Sequence, residues 1–240
     1  MFATLLPVLA GPFIGSFCGV LIARLPTGRP VAMARSACES CGHVLGPAEL
    51  VPILSYALQR GRCVHCQAPI DRFHLHVELA ATAVAAASCL GTIDAGQAWL
   101  ASLLGWTLLV LAWIDWRSLL LPDILTLPLL LAGLAVTGFT VPDELADHAL
   151  AAVCGYGGIA LIAWSYRRWR GYDGIGMGDA KLLAAGGAWV GVGALPWVLS
   201  TAAGMAIVAA LMAQARWSDV DHRTRLPFGP WLALAIWMFR

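Results

Sequence analysis

Charge is what this sequence has least of. Only 12% of its 240 residues are Asp, Glu, Lys or Arg, about half the share of an ordinary soluble domain, while 60% are hydrophobic and the mean hydropathy is +0.76. So little charge excludes a water-soluble globular fold and points to a bilayer. No charged residue occurs between Met1 and Ala23. The basic start of a cleaved secretory signal is therefore missing, and because Arg24 follows the apolar run, this segment reads as a retained first helix. A net charge of +1 excludes nucleic acid and strongly acidic partners, leaving lipid as the bulk contact. No internal repeat, low-complexity tract or soluble linker domain is expected.

What is there is a series of long apolar runs. A spanning helix takes about 20 mostly apolar residues, fewer where the bilayer is thin. Ala3 to Ala23, Ala95 to Ile114, Ile124 to Val141 and His148 to Tyr166 meet that length nearly free of charge, and Leu79 to Ile93 is shorter but uninterrupted. The 34 residues from Leu182 to Ala215 carry no charge and are too many for one span. Gly191, Gly193 and Pro196 supply a turn near their middle, so two short helices are expected. Leu226 to Phe239, with Pro227 and Pro230 near its start, makes the last. The expected fold is all-α, a polytopic membrane protein of about eight transmembrane helices with a small cytosolic zinc-binding loop domain. Its parts are residues 1–25, a first helix; 26–76, a cytosolic four-cysteine zinc-binding domain; and 77–240, a seven-helix membrane domain.

Lys and Arg stay on the cytoplasmic side of spans, and this fixes the orientation. With the N-terminus outside, Arg24 to His76, Asp115 to Asp123, Arg167 to Lys181 and Arg216 to Arg225 are cytoplasmic. They hold 14 of the 15 basic residues, and only Arg240 lies outside. The loop from Pro142 to Asp147 is then external and acidic. Tryptophans such as Trp113, Trp116, Trp164 and Trp169 fall near span ends, as interfacial anchors do, and Arg167-Arg168-Trp169-Arg170 reads as a topology anchor that also attracts anionic lipid.

The one substantial polar stretch carries two Cys-x-x-Cys pairs, Cys38/Cys41 and Cys63/Cys66, separated by 21 residues. On the reducing cytosolic side this spacing favours tetrahedral thiolate zinc over disulfides. Four sulfurs close the coordination sphere, so the zinc is expected to be structural. A loop of this size is also one that needs a staple to hold its shape. His43 and His65 are read as bystanders. Cys18, Cys89 and Cys154 lie inside spans and read as small apolar packing residues.

Carboxylates at a membrane edge are costly and default to functional candidates. Asp115 ends the third span, Asp123 follows in Leu121-Pro122-Asp123, and Asp179 lies in Gly176-Met177-Gly178-Asp179-Ala180-Lys181 before the sixth span. Two carboxylates brought together there resist joint ionisation, share a proton and can activate water, as in an aspartic protease. Gly176 and Gly178 suit close approach of a substrate backbone. Residue types alone leave a proton-coupled transporter or channel, or a non-catalytic assembly scaffold, as alternatives. Lys181 reads as holding Asp179 ionised, meeting substrate or snorkelling. Glu78, at the entrance of the second span, reads as a snorkelling helix-start carboxylate, with orientation of substrate or cofactor as the alternative.

Taken in order, these pieces resemble the type IV prepilin peptidases, GxGD-type intramembrane aspartyl proteases. The resemblance runs through Gly15-Ser16-Phe17 with Arg24-Leu25-Pro26, the two cysteine pairs bracketing Pro52-Ile53-Leu54-Ser55-Tyr56 and Arg60-Gly61-Arg62-Cys63, Val77-Glu78-Leu79, Asp115 with Pro122-Asp123, and Gly176-x-Gly178-Asp179-x-Lys181. It implies a bacterial inner-membrane enzyme that acts on the helix of a prepilin or pseudopilin. Such enzymes cut at the cytoplasmic face, after the glycine that ends a short basic leader. It further implies Asp115 and Asp179 as the catalytic pair, with Asp123 capping the helix that follows Pro122. Family members often also methylate the new N-terminus with S-adenosylmethionine. That second activity rests on the resemblance alone, since Gly19 and Leu50-Val51 replace family asparagine-containing positions and no glycine-rich nucleotide fingerprint is present.

Overall fold

The computed structural model describes residues 2–31, 35–90, 92, 94–171, 176–216 and 227–240. The described residues form α1 (Phe2–Arg24), α2 (Leu54–Leu58), α3 (Arg72–Cys89), α4 (Ala95–Ser118), α5 (Asp123–Thr140), α6 (Leu145–Arg170), α7 (Met177–Val190), α8 (Leu195–Arg216) and α9 (Gly229–Met238). All but the single-turn α2 answer to an expected span. Among the described residues five segments are long and apolar enough to cross a membrane: Thr4–Thr27, Ala95–Ser118, Asp123–Thr140, Pro142–Arg170 and Leu195–Gln214. The break expected near Gly191 is observed, but its two products are unequal, 14 residues in α7 and 22 in α8. In place of a second short helix, α8 is full length because Pro196 falls in its first turn, where a missing N–H costs nothing. Leu226, Ile93 and most of the basic segment from Arg216 to Arg225 lie outside the described residues.

The chain divides into two packed units, Met1–Val110 and Leu111–Arg240. In the first, α1 and α3 lie together along a seam of small residues. A methyl placed on Gly11 would stand 2.8 Å from Thr82 Cα, and one on Gly15 would stand 2.6 Å from Glu78 Cα. Spacing of four residues puts Gly11, Gly15 and Gly19 on one face of α1, the pattern by which membrane helices bring their backbones into contact. The opposite ridge, Leu5, Leu9, Phe13 and Phe17, is exposed, as a lipid-facing surface would be. Trp106 on α4 donates its indole N–H to Ala81 O of α3 at 2.8 Å. Cys89, expected as a plain apolar filler, donates its thiol to Thr4 O at 2.9 Å.

In the second unit α7 is the central element. Its residues Leu182 to Ala188 are all buried, and its neighbours approach through glycine. Gly155 of α6 faces Leu183 O, Gly187 faces the Ala151 carbonyl, Gly133 of α5 faces Trp189, and Gly186 faces Ile236 of α9. Trp189 Nε1 also donates to Leu129 O of α5 at 2.9 Å. At the far end from the aspartates, Asp147 accepts from the Val192 N–H and His148 Nδ1 lies 3.0 Å from Ala188 O, tying the turn after α7 to α6. Arg167, Arg168 and Arg170 close α6, opposite the negative end of its dipole, and Gly171 in the left-handed conformation caps it.

Candidate active site

Asp115 stands in the last turn of α4 with 6% of its surface exposed. The helix ends at Ser118, after which the Leu119 N–H bonds to Asp115 O at 2.9 Å and Leu119 itself takes a left-handed conformation, φ 53°. This stop turns the chain toward Leu121 and Pro122 and into α5. Asp179 sits in the first turn of α7, after Gly176 as N-cap and ahead of the apolar run that begins at Leu182. The Asp179 carboxyl is half-buried, and Asp115 lies close enough to act on its charge. The fold thus brings the carboxylates of the third span and the sixth span within electrostatic reach of each other. Among the described residues no hydrogen bond reaches the Asp179 carboxyl, whereas Asp115 Oδ2 accepts the backbone N–H of Gly229 at 2.9 Å. Such a pair holds one proton more readily than none or two, which suits activation of water beside a polarised carbonyl.

Three supporting readings change on contact with the geometry. Lys181 does not face Asp179: its Nζ donates to Asp123 Oδ1 at 2.6 Å. Asp123 does not cap α5: Pro122 is the N-cap, with no side-chain cap bond, and Asp123 in the first turn ties α5 to α7 through Lys181. A lysine two residues past an aspartate in a helix points about 200° round the axis, so proximity in sequence misleads here. The space beside Gly178 is filled by Leu121, whose Cβ would lie 3.2 Å from an added methyl, while Gly176 faces the Asp179 carboxylate itself at 3.4 Å. These glycines admit the chain's own atoms.

Glu78 belongs to the first unit and does not snorkel. It is 7% exposed, and its Oε2 accepts the Ile53 N–H at 2.7 Å. Ile53 is the centre of a strained γ-turn, φ 61° and ψ −52°, closed by the Leu54 N–H on Pro52 O at 2.5 Å. A buried carboxylate thus pins a loop that would otherwise relax.

The four cysteines of the loop converge. Their sulfurs all lie within 4.8 Å of one another, and Cys38 and Cys66 are 3.8 Å apart. Tetrahedral zinc with bonds of about 2.3 Å sets sulfur–sulfur edges at about 3.8 Å, so the constellation fits. Both pairs sit on the same turn. Cys38 N–H bonds to His43 O and Gly42 N–H to Cys38 O, while Cys63 N–H bonds to Ala68 O and Gln67 N–H to Cys63 O. Gly42 and Gln67 occupy the matching left-handed position. This is a local structural repeat that sequence reading missed, and the paired Cys-x-x-Cys spacing was its signal. The four thiols are coupled: backbone N–H groups of Cys41 and Ser40 lower Cys38 to about 6, whereas burial and the neighbouring thiols push Cys66 up to about 11. His43 and His65 pack ring to ring at 4.1 Å, and His43 lies 3.6 Å from Glu49.

Gly229 has no signal in the sequence, because a backbone donor has no side-chain signature. The prolines beside it, Pro227 and Pro230, mark the start of α9.

Comparison with known proteins places this geometry in a family. Residues 9–92 match the bacterial Peptidase A24 N-terminal domain, and residues 102–213 match the type IV leader peptidase family. A prepilin leader peptidase/N-methyltransferase of Burkholderia pseudomallei (strain 1026b) is 39% identical, the alignment covering 94% of this chain and 81% of the relative. Proteins of the same name from Aeromonas hydrophila and Pseudomonas aeruginosa are 37% and 34% identical, over 94% and 96% of this chain and 86% and 87% of theirs. No solved structure matches the chain significantly.

Proposed function

The chain belongs to the type IV leader peptidase family, and from that membership we propose that it removes the leader of a prepilin or pseudopilin by aspartyl chemistry at Asp115 and Asp179. One observation carries the residue assignment: the turn that follows Asp115 packs through Leu121 against Gly178, beside Asp179, and the two carboxylates lie within electrostatic reach of each other. The ionised carboxylate takes a proton from water as the hydroxide oxygen adds to the scissile carbonyl carbon. The protonated partner donates to the carbonyl oxygen. Collapse of the tetrahedral species returns a proton to the leaving amine, and no acyl-enzyme forms. Glu78, Gly176, Gly178, Lys181 and Asp123 support the scaffold and are not assigned to the reacting atoms.

The distribution of Lys and Arg supports an N-terminus outside the cytoplasmic membrane, with the cysteine loop and the aspartates on the cytoplasmic side. In that compartment Cys38, Cys41, Cys63 and Cys66 are held as thiolates by zinc, which supplies a structural cross-link to a loop with little core of its own. The relatives' names extend the proposal to N-methylation of the new N-terminus, for which S-adenosylmethionine is the donor. The described residues contain no strand, and so no glycine-rich strand-to-helix cradle for a nucleotide-like cofactor; the peptidase reaction needs none.

The test is mass spectrometry of a prepilin incubated in detergent with wild type, Asp115→Asn and Asp179→Asn, with and without S-adenosylmethionine. Cleavage after the leader glycine by wild type alone is expected, with a methyl mass added when the donor is present. An uncut substrate with folded, zinc-loaded wild type would refute the proposal and favour a transporter or scaffold.

A further inference from the structure

The start of α9 lies flat against Asp115. Gly229 is buried, its N–H reaches Asp115 Oδ2 at 2.9 Å, and a methyl placed on it would stand 2.7 Å from Oδ2, 2.9 Å from Cγ and 3.1 Å from Cβ. No other residue type brings its backbone so close to that carboxylate. Nor do the amides that follow it substitute. Pro230 has none, and the N–H groups of Trp231 and Leu232 both bond to Phe228 O at 3.1 Å. Two further contacts fix α9 in place: the Trp231 ring meets Trp116 edge to face at 6.5 Å, and Ile236 packs on Gly186 of the helix that bears Asp179.

We propose that Gly229 is a positioning residue whose backbone N–H holds Asp115 as the ionised member of the pair, making Asp115 the base that takes the proton from water and Asp179 the acid. This rests on the assignment of the two aspartates made above. An N–H can only donate, so it stabilises a carboxylate over a carboxylic acid, and the bond is charge-assisted. Around Asp115 the titratable partner is Asp179 on α7. The α9 segment Gly229–Met238 carries no ionisable side chain, Lys181 of α7 is engaged by Asp123 of α5, and Arg117 is the remaining ionisable group on that turn of α4. Among the described residues, the hydrogen bond that distinguishes the two carboxylates is the one from the Gly229 amide. In the forward step the water proton passes to Asp115 and the Asp179 proton to the carbonyl oxygen. In the reverse transfer Asp115 gives its proton to the amine, and Asp179 recovers one from the collapsing diol.

The test is the pH profile of kcat/KM on a prepilin, comparing full-length wild type, Gly229→Ala and Ile236→Ala in detergent. Ile236→Ala thins the α9 contact with α7 seven residues beyond Gly229, while the Gly229 amide and the Trp231–Trp116 contact beside it are kept. For Gly229→Ala the acid limb moves up by about one pH unit, so that activity below it falls about tenfold and recovers toward alkaline pH. Ile236→Ala lowers the melting temperature and keeps the wild-type limb. An unmoved limb in Gly229→Ala, or the same shift in Ile236→Ala, overturns the inference. Should Gly229→Ala not fold, the amide is read directly. Phe228-Gly229 is the only Phe-Gly pair in the sequence, so carbonyl-labelled Phe with 15N-Gly gives one resonance. That resonance titrates with the acid limb in wild type and not in Asp115→Asn; a pH-independent amide, unchanged by Asp115→Asn, overturns it equally. Cleavage by Asp115→Asn would instead refute the aspartate pair itself.

Discussion

Gly187→Ala and Gly158→Ala add the same methyl to neighbouring membrane helices and are expected to act with opposite sign. At Gly187 of α7 the new Cβ would stand 2.7 Å from both the carbonyl carbon and oxygen of Ala151 and 3.0 Å from Ala152 N. These are backbone atoms of α6 and cannot rotate away, so α6 and α7 must separate. Overpacking of this kind costs about 1–3 kcal/mol, and a backbone clash belongs at the upper end. The helix gains back about 1 kcal/mol from replacing glycine by alanine. The net is a loss of roughly 1–2 kcal/mol. At Gly158 of α6 nothing lies within 4 Å, so only the gain remains, up to about 1 kcal/mol. Gly186→Ala should fall between, because its methyl meets the mobile end of Ile236, Cδ1 at 2.5 Å and Cγ1 at 2.6 Å. Denaturation of the three variants in one detergent reads the order directly. Gly187→Ala as stable as Gly158→Ala would refute the claim that backbone contact through glycine holds α7.

Glu78→Ala strands the half-buried Ile53 N–H and should cost about 1 kcal/mol or more, while Glu78→Gln, which keeps an acceptor, should cost less than half of that; equal melting temperatures would argue against the pin. Cys63→Ser, at the buried sulfur of the four, should abolish zinc retention in metal analysis, whereas Asp115→Asn and Asp179→Asn keep one zinc per chain.

Spans and the cysteine cluster were legible in the sequence because each has a local signature. An uncharged run from Ala95 to Ile114 or two Cys-x-x-Cys pairs states its own structure. Partners distant in sequence were not legible. Lys181 reads in sequence as holding Asp179, meeting substrate or snorkelling, and it is bound to Asp123 of another helix, 58 residues off. Glu78 looked like an edge carboxylate because the residues that bury it, from α1 and the Ile53 loop, are not near it in the chain. Glycine was the most misread residue type. Gly178 suggested room for substrate, and Leu121 occupies that room. The spacing of four between Gly11, Gly15 and Gly19 is a helix-seam signal that the sequence reading passed over.

The two aspartates are held by different means, and this follows from the medium. In a bilayer, burial of apolar surface does not drive helices together, so close contact depends on small residues and on hydrogen bonds. Asp115 has the hydrogen bond: α9 reaches it with the Gly229 amide. Asp179 has no such bond among the described residues and owes its position to α7 as a body, through Gly186, Gly187, Gly155 and Gly133. Loosening the α6–α7 seam eight residues along, about 12 Å from Asp179, should therefore change how often the two carboxylates meet without altering Asp115. Gly187→Ala is then expected to lower kcat at every pH and to leave the acid limb where it is, whereas Gly229→Ala moves the limb. A limb that moved in both variants would mean that the two carboxylates share one support.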